Sequence, residues 1–295
     1  MKSQLLFHAL PLFLSIHTTT AWGTLGHKTV ASIAANFLKP ETEAFCKNIL
    51  GDSPNYLSNV STWADTFRYT SAGSFTKNFH YIDAMDSPPD SCEVEFNRDC
   101  EGGCIVSAIN NYTERLLDTR LPDQQSFQAL SYLIHFIADI HQPLHNENLE
   151  RGGNGIKVEF NGRDTNLHTI WDTTMPEQLV GDSTTENVQY WSSDLTSRIR
   201  SGGFERESQT WVTGISLEDP IETGLGWAND ANNYVCTTVL PKGLDAVEGK
   251  ELSGTYYDNA VPAIELLIAK GTLVREGSPL DFRLSEMMRI LGACC

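Results

Sequence analysis

Residues 131–145 read SYLIHFIADIHQPLH, and how this stretch is read decides the fold. Leu133, Ile134, Phe136, Ile137 and Ile140 recur at three- and four-residue spacing, the period of a well-buried helix and not the alternation of a strand. His135 and Asp139 stand four apart within it, so they share one helix face and can meet one ion together. A carboxylate in such apolar surroundings is costly unless something pairs with it, and metal coordination is one way to satisfy it. Pro143 cannot continue the helix, so His145 leaves on a turn at its end, where it can face a neighbouring ion.

The same period extends outward along the chain. Apolar residues recur helically over Val30–Leu38, Phe45–Leu50, Leu57–Phe67, Ile105–Leu117, Phe127–Ile140 and Ile264–Ile268. Turn signals at Gly51–Pro54, Ser87–Asp90, Leu121–Asp123 and Gly152–Gly155 separate them. One strand is expected, Ile156–Phe160, which alternates apolar and polar residues before Asn161-Gly162, a hairpin-type turn. The fold class is therefore all-α, a single mainly helical domain with a small β-hairpin. No repeat, low-complexity tract or Pro/Ser linker divides it.

A second H-x-x-x-D pair, His168 and Asp172, follows the first by 33 residues. A lone pair of this kind is usually an ion pair on a helix surface. Two such pairs, together with the isolated His27, His80 and His145, favour ligands. His141, six residues after His135, points off the ligand face and is read as structural. His and carboxylate donors without Cys suit zinc, and on ligand type alone manganese and iron remain open.

The first 21 residues, MKSQLLFHALPLFLSIHTTTA, carry Lys2, an apolar run from Leu5 to Ile16 and small residues up to Ala21. They read as a secretory leader cleaved after Ala21, too short to span a bilayer, so the mature chain is expected to be exported. The formal net charge is −17, and loss of Lys2 takes it to −18. No broad basic surface can hold a nucleic acid, so a polyanion must be attracted locally, and bound cations could do it.

Seven cysteines in an exported chain favour disulfides. Cys100 and Cys104 bracket Glu101-Gly102-Gly103, a loop short enough to close on itself, and Cys92 and Cys236 are candidates for a long-range bridge. Cys46 falls inside a helical pattern and reads as a buried thiol. Cys294 and Cys295 stay unassigned. Asn59-Val60-Ser61 and Asn111-Tyr112-Thr113 are N-glycan acceptors.

WGTLGH at Trp22–His27, TWAD at Thr62–Asp65, FHYIDA at Phe79–Ala84, HFIADIHQPLH at His135–His145, GGNG at Gly152–Gly155 and NLHTIWD at Asn166–Asp172 together resemble the S1/P1 nuclease family, the zinc-dependent single-strand nucleases of fungi and plants. The resemblance runs in order from Trp22 to about Lys270. It implies a fold similar to zinc-dependent phospholipase C and three zinc ions (Zn2+) per chain. One would be held by Asp65, His80, His135 and Asp139. A second would take the free amine and carbonyl of Trp22, with His27 and a shared Asp139. The third would take His145, His168 and Asp172. An α-amine binds metal only when free, so cleavage at Ala21–Trp22 is needed for the site to form.

The resemblance further implies hydrolysis of single-stranded DNA and RNA to 5′-phosphate products, with Asp65 and Arg68 as catalytic residues, and 3′-nucleotidase activity besides. Arg68 matches a basic residue near the phosphate, against a plain reading as a solvated helix-end Arg. Tyr81 matches an aromatic that stacks the base and Asp83 a carboxylate that bonds its edge, against readings as core and helix-cap residues. Asn154 in the Gly-rich turn and Thr174 complete the substrate-binding candidates. Thr174 departs from the Asn or Tyr usual in the family, and Arg151 from a small apolar residue, which puts base preference in doubt. A monomer with no membrane association and no obligate protein partner is expected.

The nuclease domain is expected over 22–272 and a divergent segment over 273–295. In that segment GTLVREGSPLDF precedes Leu284, Met287, Met288 and Leu291 at helical spacing: either the family's closing helix displaced by an insertion, or the product of a retained intron. Two rivals stand beside the nuclease reading. A zinc-dependent phospholipase C should show an exposed apolar rim. A non-catalytic secreted zinc-binding protein has no need of a shared Asp139.

Overall fold

The computed structural model describes residues 22–272, apart from 212, 214 and 217. The expected leader at 1–21 and the closing segment at 273–295, with its Leu284–Leu291 stripe, Cys294 and Cys295, lie outside the described residues. Helices α1 (Thr24–Ala35), α2 (Pro40–Leu50), α3 (Tyr56–Val60), α4 (Trp63–Phe67) and α5 (Phe96–Asp99) lead to the long pair α6 (Ile105–Leu117) and α7 (Asp123–Ile140). Strands β1 (Lys157–Phe160) and β2 (Arg163–Asn166) follow, then α8 (Leu167–Thr169), α9 (Met175–Val180), α10 (Thr185–Ser201), α11 (Glu205–Trp211), α12 (Pro220–Tyr234) and α13 (Thr255–Lys270).

The stretch read first is the hub of this arrangement. Helix α7 begins after Pro122, which presets the backbone for a helix start, and gives way after Ile140 to a 3-10 turn, Pro143–Asn146, carrying His145. One side packs on α6, where Tyr112 stacks on Tyr132 with ring centroids 4.3 Å apart and Ile105, Ile109, Phe136 and Ile140 are buried around them. Each such fully buried large side chain contributes about 1.5–3 kcal/mol. A second core surrounds Trp22, Leu25, Trp171 and Ile264 and joins α1 to α13. Trp171 donates its indole N–H to Tyr256 at 2.8 Å.

The hairpin forms where Asn161-Gly162 reverses the chain. Both residues have positive φ, 52° and 70°, as the tight turn requires. The antiparallel register runs from Lys157 opposite Asn166 to Phe160 opposite Arg163, and it is the only sheet among the described residues. Val158 and Phe160 face the core while Lys157 and Glu159 face solvent.

Two expectations need correction. Leu57–Phe67 is not one helix: it breaks between α3 and α4, because Ser61 and Thr62 adopt a turn whose Ser61 carbonyl serves another residue, described below. Helices α10 and α12 were absent from the periodic segments. Disulfides join Cys92 to Cys236 across 144 residues and Cys100 to Cys104 across four, with Cα atoms 6.0 and 5.1 Å apart. Cys46 is a free, buried thiol, pushed up to about 12 by burial and then by Glu43. No described helix is long and apolar enough to cross a membrane.

Candidate metal centre

The ligand candidates arrive from seven separate helical elements. Helix α1 brings His27, α4 brings Asp65, the 3-10 turn Ser74–His80 ends on His80, and α7 presents His135 and Asp139. His145 leaves the end of α7 as its Pro143 dictates. His168 sits on α8, and Asp172 follows within a π-helical turn, Ile170–Thr174, so this four-residue pair spans a junction between two helical geometries. All of these side chains are buried.

Three contiguous donor groups result: His27, His135 and Asp139; Asp65, His80 and His135; and His145, His168 and Asp172. His135 is common to the first two, and Asp139 reaches imidazoles of both. Its Oδ1 is 2.8 Å from His27 Nε2, and its Oδ2 is 3.0 Å from His80 Nδ1 and 3.1 Å from His135 Nε2. His80 Nδ1 and His135 Nε2 are themselves 3.1 Å apart. Asp65 Oδ1 stands 3.6 Å from His135 Nε2 and 3.9 Å from His80 Nδ1. In the third group His168 Nε2 is 3.0 Å from Asp172 Oδ2. The carbonyl oxygen of Trp22, itself fully buried, lies against His27 Nδ1.

Backbone carbonyls orient the rings. His135 Nδ1–H donates to Ser61 O at 2.6 Å, His145 Nδ1–H to His80 O at 2.7 Å and His168 Nδ1–H to Gly152 O at 2.6 Å. Each bond fixes the tautomer so that Nε2 presents its lone pair to the cleft, as outer-shell partners of metal-bound imidazoles do. The break at Ser61 thus has a use. Gly152 has φ 60°, and a Cβ there would sit 2.5 Å from Leu144 O, so only glycine places this carbonyl.

The donor atoms fit a cation. Both Asp65 carboxylate oxygens and His145 Nε2 are buried without a hydrogen-bond partner, and orphaned buried acceptors of this kind are rare unless an ion completes them. Burial alone would hold His135 neutral, yet Asp139 and Asp65 overcome it and raise its imidazole to about 9. Burial dominates at His80 and lowers it to about 4. The packed carboxylates therefore demand positive charge that these imidazoles do not all supply.

Of the other candidates, Arg68 touches this cluster. Arg68 Nη2 is 3.4 Å from Asp65 Oδ1, and its guanidinium lies over the Tyr69 ring. After His80 the chain runs extended, so His80 and Ile82 point inward while Tyr81 and Asp83 lie half-buried on the other side. Tyr81 donates its hydroxyl to Asn78 at 3.0 Å, and burial followed by Asp99 pushes the Asp83 carboxyl up. Asn154 donates to Arg151 O, and Thr174 to Thr169 O at 3.5 Å. Asn59 and Asn111 are exposed. His141 stands apart from the donor groups. It donates to Ile137 O at 2.7 Å, faces Trp227, and burial lowers it to about 4.

Sequence reasoning missed Ser61, Gly152 and Gln142, the last of which is fully buried and donates its amide to Asp172 Oδ1. It also missed Glu147, whose carboxyl is pushed up to about 8 by burial, with Asp86 adding to the effect. Only Gly152 carried a signal, as part of the Gly-rich turn.

A mainly helical chain thus encloses three His–Asp groups without a thiolate among them, a donor set that suits a divalent metal ion. The S1/P1 Nuclease family model matches residues 22–275. Nuclease S1 of Aspergillus oryzae is 51% identical over 255 residues, 85% of this chain and 88% of that protein. Nuclease P1 of Penicillium citrinum is 44% identical over 252 residues, 85% and 93% of the two chains, and Endonuclease 2 of Arabidopsis thaliana is 30% identical over 273 residues, 85% and 86%. The chain belongs to the S1/P1 nuclease family and is a phosphodiester-hydrolysing nuclease.

Proposed function

We propose that the mature protein is an exported, monomeric endonuclease holding three zinc ions and cutting single-stranded DNA and RNA to 5′-phosphate products. The observation that carries this reading is that His135 belongs to two donor groups while Asp139 reaches His27 with one oxygen and His80 with the other. A simple zinc-binding protein has no use for a carboxylate split between two sites. Trp22, His27 and Asp139 form one ligand set, Asp65, His80, His135 and Asp139 another, and His145, His168 and Asp172 the third.

A phosphodiester anion repels a nucleophile and releases a poor leaving group; bound zinc ions would neutralise the phosphate and activate water. The chain's own residues do the rest. Asp139 holds three imidazoles in register, and Asp65 keeps Arg68 beside the cluster, where its guanidinium can take a phosphate oxygen in forked hydrogen bonds. Tyr81 offers a ring to an unpaired base and Asp83 a carboxyl to its edge, a slot that a paired base cannot enter. Asn154 and Thr174 would add polar contacts to the bound strand. Asn59 and Asn111 carry N-glycans.

The test is elemental analysis of the secreted protein together with its products from single- and double-stranded DNA and from lecithin. Three zinc ions per chain and 5′-phosphorylated products from single strands are expected. Release of choline phosphate from lecithin with denatured DNA left intact would overturn the reading in favour of a phospholipase C.

A further inference from the structure

The turn that ends on His80 has two sides. Along Ser74–His80 the geometry is 3-10, in which residues three apart stand one above the other. Gly73, Thr76 and His80 are buried, whereas Phe75 and Asn78 are exposed. Tyr81, three residues after Asn78, continues that outer row, and its hydroxyl donates to Asn78 at 3.0 Å. From Tyr81 onward the period falls to two: Ile82 and Ala84 are buried, Asp83 is half-buried and Met85 is exposed. Phe75, Asn78, Tyr81, Asp83 and Met85 therefore form one outer ridge, with the proposed base slot in its middle. At about 2.0 Å of rise per residue, Phe75 stands about 12 Å along the turn from Tyr81.

Both ends of the ridge are apolar. Phe75 is 65% exposed and Met85 58%, two of the five large apolar side chains exposed among the described residues. Single exposed apolar residues are ordinary. These two differ in being fixed in place yet uncovered, on either side of Tyr81. Phe75 meets Phe79 edge-to-face, with centroids 6.1 Å apart and ring planes at 81°, and Phe79 packs on the core between α6 and α7. Met85 Sδ accepts the Asn148 amide at 2.9 Å, and its backbone N–H donates to Asp99 Oδ1 at 3.1 Å. Lys77, exposed on the same turn, offers an ammonium to a passing phosphate in a chain whose net charge is −17.

We propose that Phe75 and Met85 are further contacts for the substrate strand: one unpaired base stacks on the Phe75 ring, the Met85 thioether packs under another beyond Asp83, and the strand follows the ridge between them. The proposal rests on the reading of Tyr81 as a base-stacking residue. Aromatic and thioether surfaces accept any base by its π face, so the ridge favours longer strands without choosing among bases. A duplex, whose bases already stack on one another, gains nothing from it.

The test measures steady-state cleavage of a long oligothymidylate and of a dinucleotide by the zinc-loaded protein and its variants. At about 3.4 Å per stacked nucleotide, a dinucleotide seated at Tyr81 is too short to reach Phe75. Phe75→Ala and Met85→Ala should each raise KM for the long strand by about fivefold or more with kcat unchanged, the loss expected for one base contact. Phe75→Ala should leave the dinucleotide kinetics and the zinc content at parental values, and Phe75→Trp should restore the parental KM. Parental KM for the long strand in either alanine variant would overturn the proposal. So would an equal loss on both substrates, or a lowered zinc content, in Phe75→Ala, since the defect would then lie in the turn that carries His80. Tyr81→Ala should instead raise KM on both substrates; a parental KM there would overturn the base slot itself, and the ridge with it.

Discussion

Gln142 and Asp172 are joined by a buried side-chain hydrogen bond that links two ligands of one donor group. The Gln142 amide donates to Asp172 Oδ1, and its Oε1 accepts the backbone N–H of Leu144, inside the turn that carries His145. One amide therefore sets both the carboxylate and the turn. Gln142→Ala should leave Asp172 Oδ1 unpaired and loosen His145, and Gln142→Glu should set two carboxylates against each other. Outer-shell losses of this kind run to about 10–100-fold in affinity or activity. Elemental analysis after dialysis should show one zinc ion fewer than in the parent protein, and retention of full metal content in both variants would remove Gln142 from this role.

Asp139 has the opposite character, since it touches three imidazoles directly. Asp139→Ala should reduce cleavage of denatured DNA by more than about 100-fold, beyond the range of an outer-shell change. Secreted protein should still be detectable. Prolonged dialysis against a chelator should give the parent protein the same defect, reversed by added zinc. Unchanged cleavage by the alanine variant would sink the shared-ligand arrangement.

How much of this was legible in the sequence depends on what kind of atom did the work. The α7 ligands and the hairpin could be read because side-chain period and Asn-Gly chemistry are local signals. Helix α10 hides its period: Val188, Trp191, Leu195 and Ile199 are its buried ridge, but single apolar residues are spread among Ser and Thr. In α12, Gly224 and Gly226 weaken the pattern, and Gly224 is there because its Cα packs close to Val106. The carbonyls of Ser61, His80 and Gly152 orient three rings, yet every residue has a carbonyl. Their roles exist only once the chain is folded.

Gly152 supplies a strict test of such a carbonyl. At φ 60° with Leu144 O 2.5 Å from the position of a Cβ, alanine must displace the backbone that holds His168. Gly152→Ala should lower folding stability by about 1–3 kcal/mol through left-handed strain and the contact. It should also lower metal content. Urea unfolding and elemental analysis on the same sample check both, and a fully loaded protein of parental stability would refute the argument.

The two disulfides should differ in weight. Cys92–Cys236 closes a loop of 144 residues between the segment after Ala84 and the end of α12, whereas Cys100–Cys104 closes four. Chain-entropy reasoning gives the long bridge about 2–5 kcal/mol. Replacing Cys92 and Cys236 together by Ser should lower the denaturation midpoint far more than the same change at Cys100 and Cys104. Equal midpoints would show that the long bridge spans parts of the chain already held together by packing.

Cys46 tests the small core it shares with Ala31, Tyr56, Leu57 and Leu130. Burial, followed by the nearby Glu43 carboxylate, raises its thiol from 9.0 to about 12. Raising a thiol's pKa leaves less thiolate at a given pH, and three pH units correspond to about a thousandfold less of the reactive form. At pH 8, iodoacetamide should therefore modify Cys46 in the folded protein far more slowly than in the same protein unfolded in urea, as read by peptide mapping. The rate should rise with pH well beyond the ordinary thiol range. Rapid native labelling at pH 8 would mean that Cys46 meets solvent, and that this small core is more open than its packing indicates.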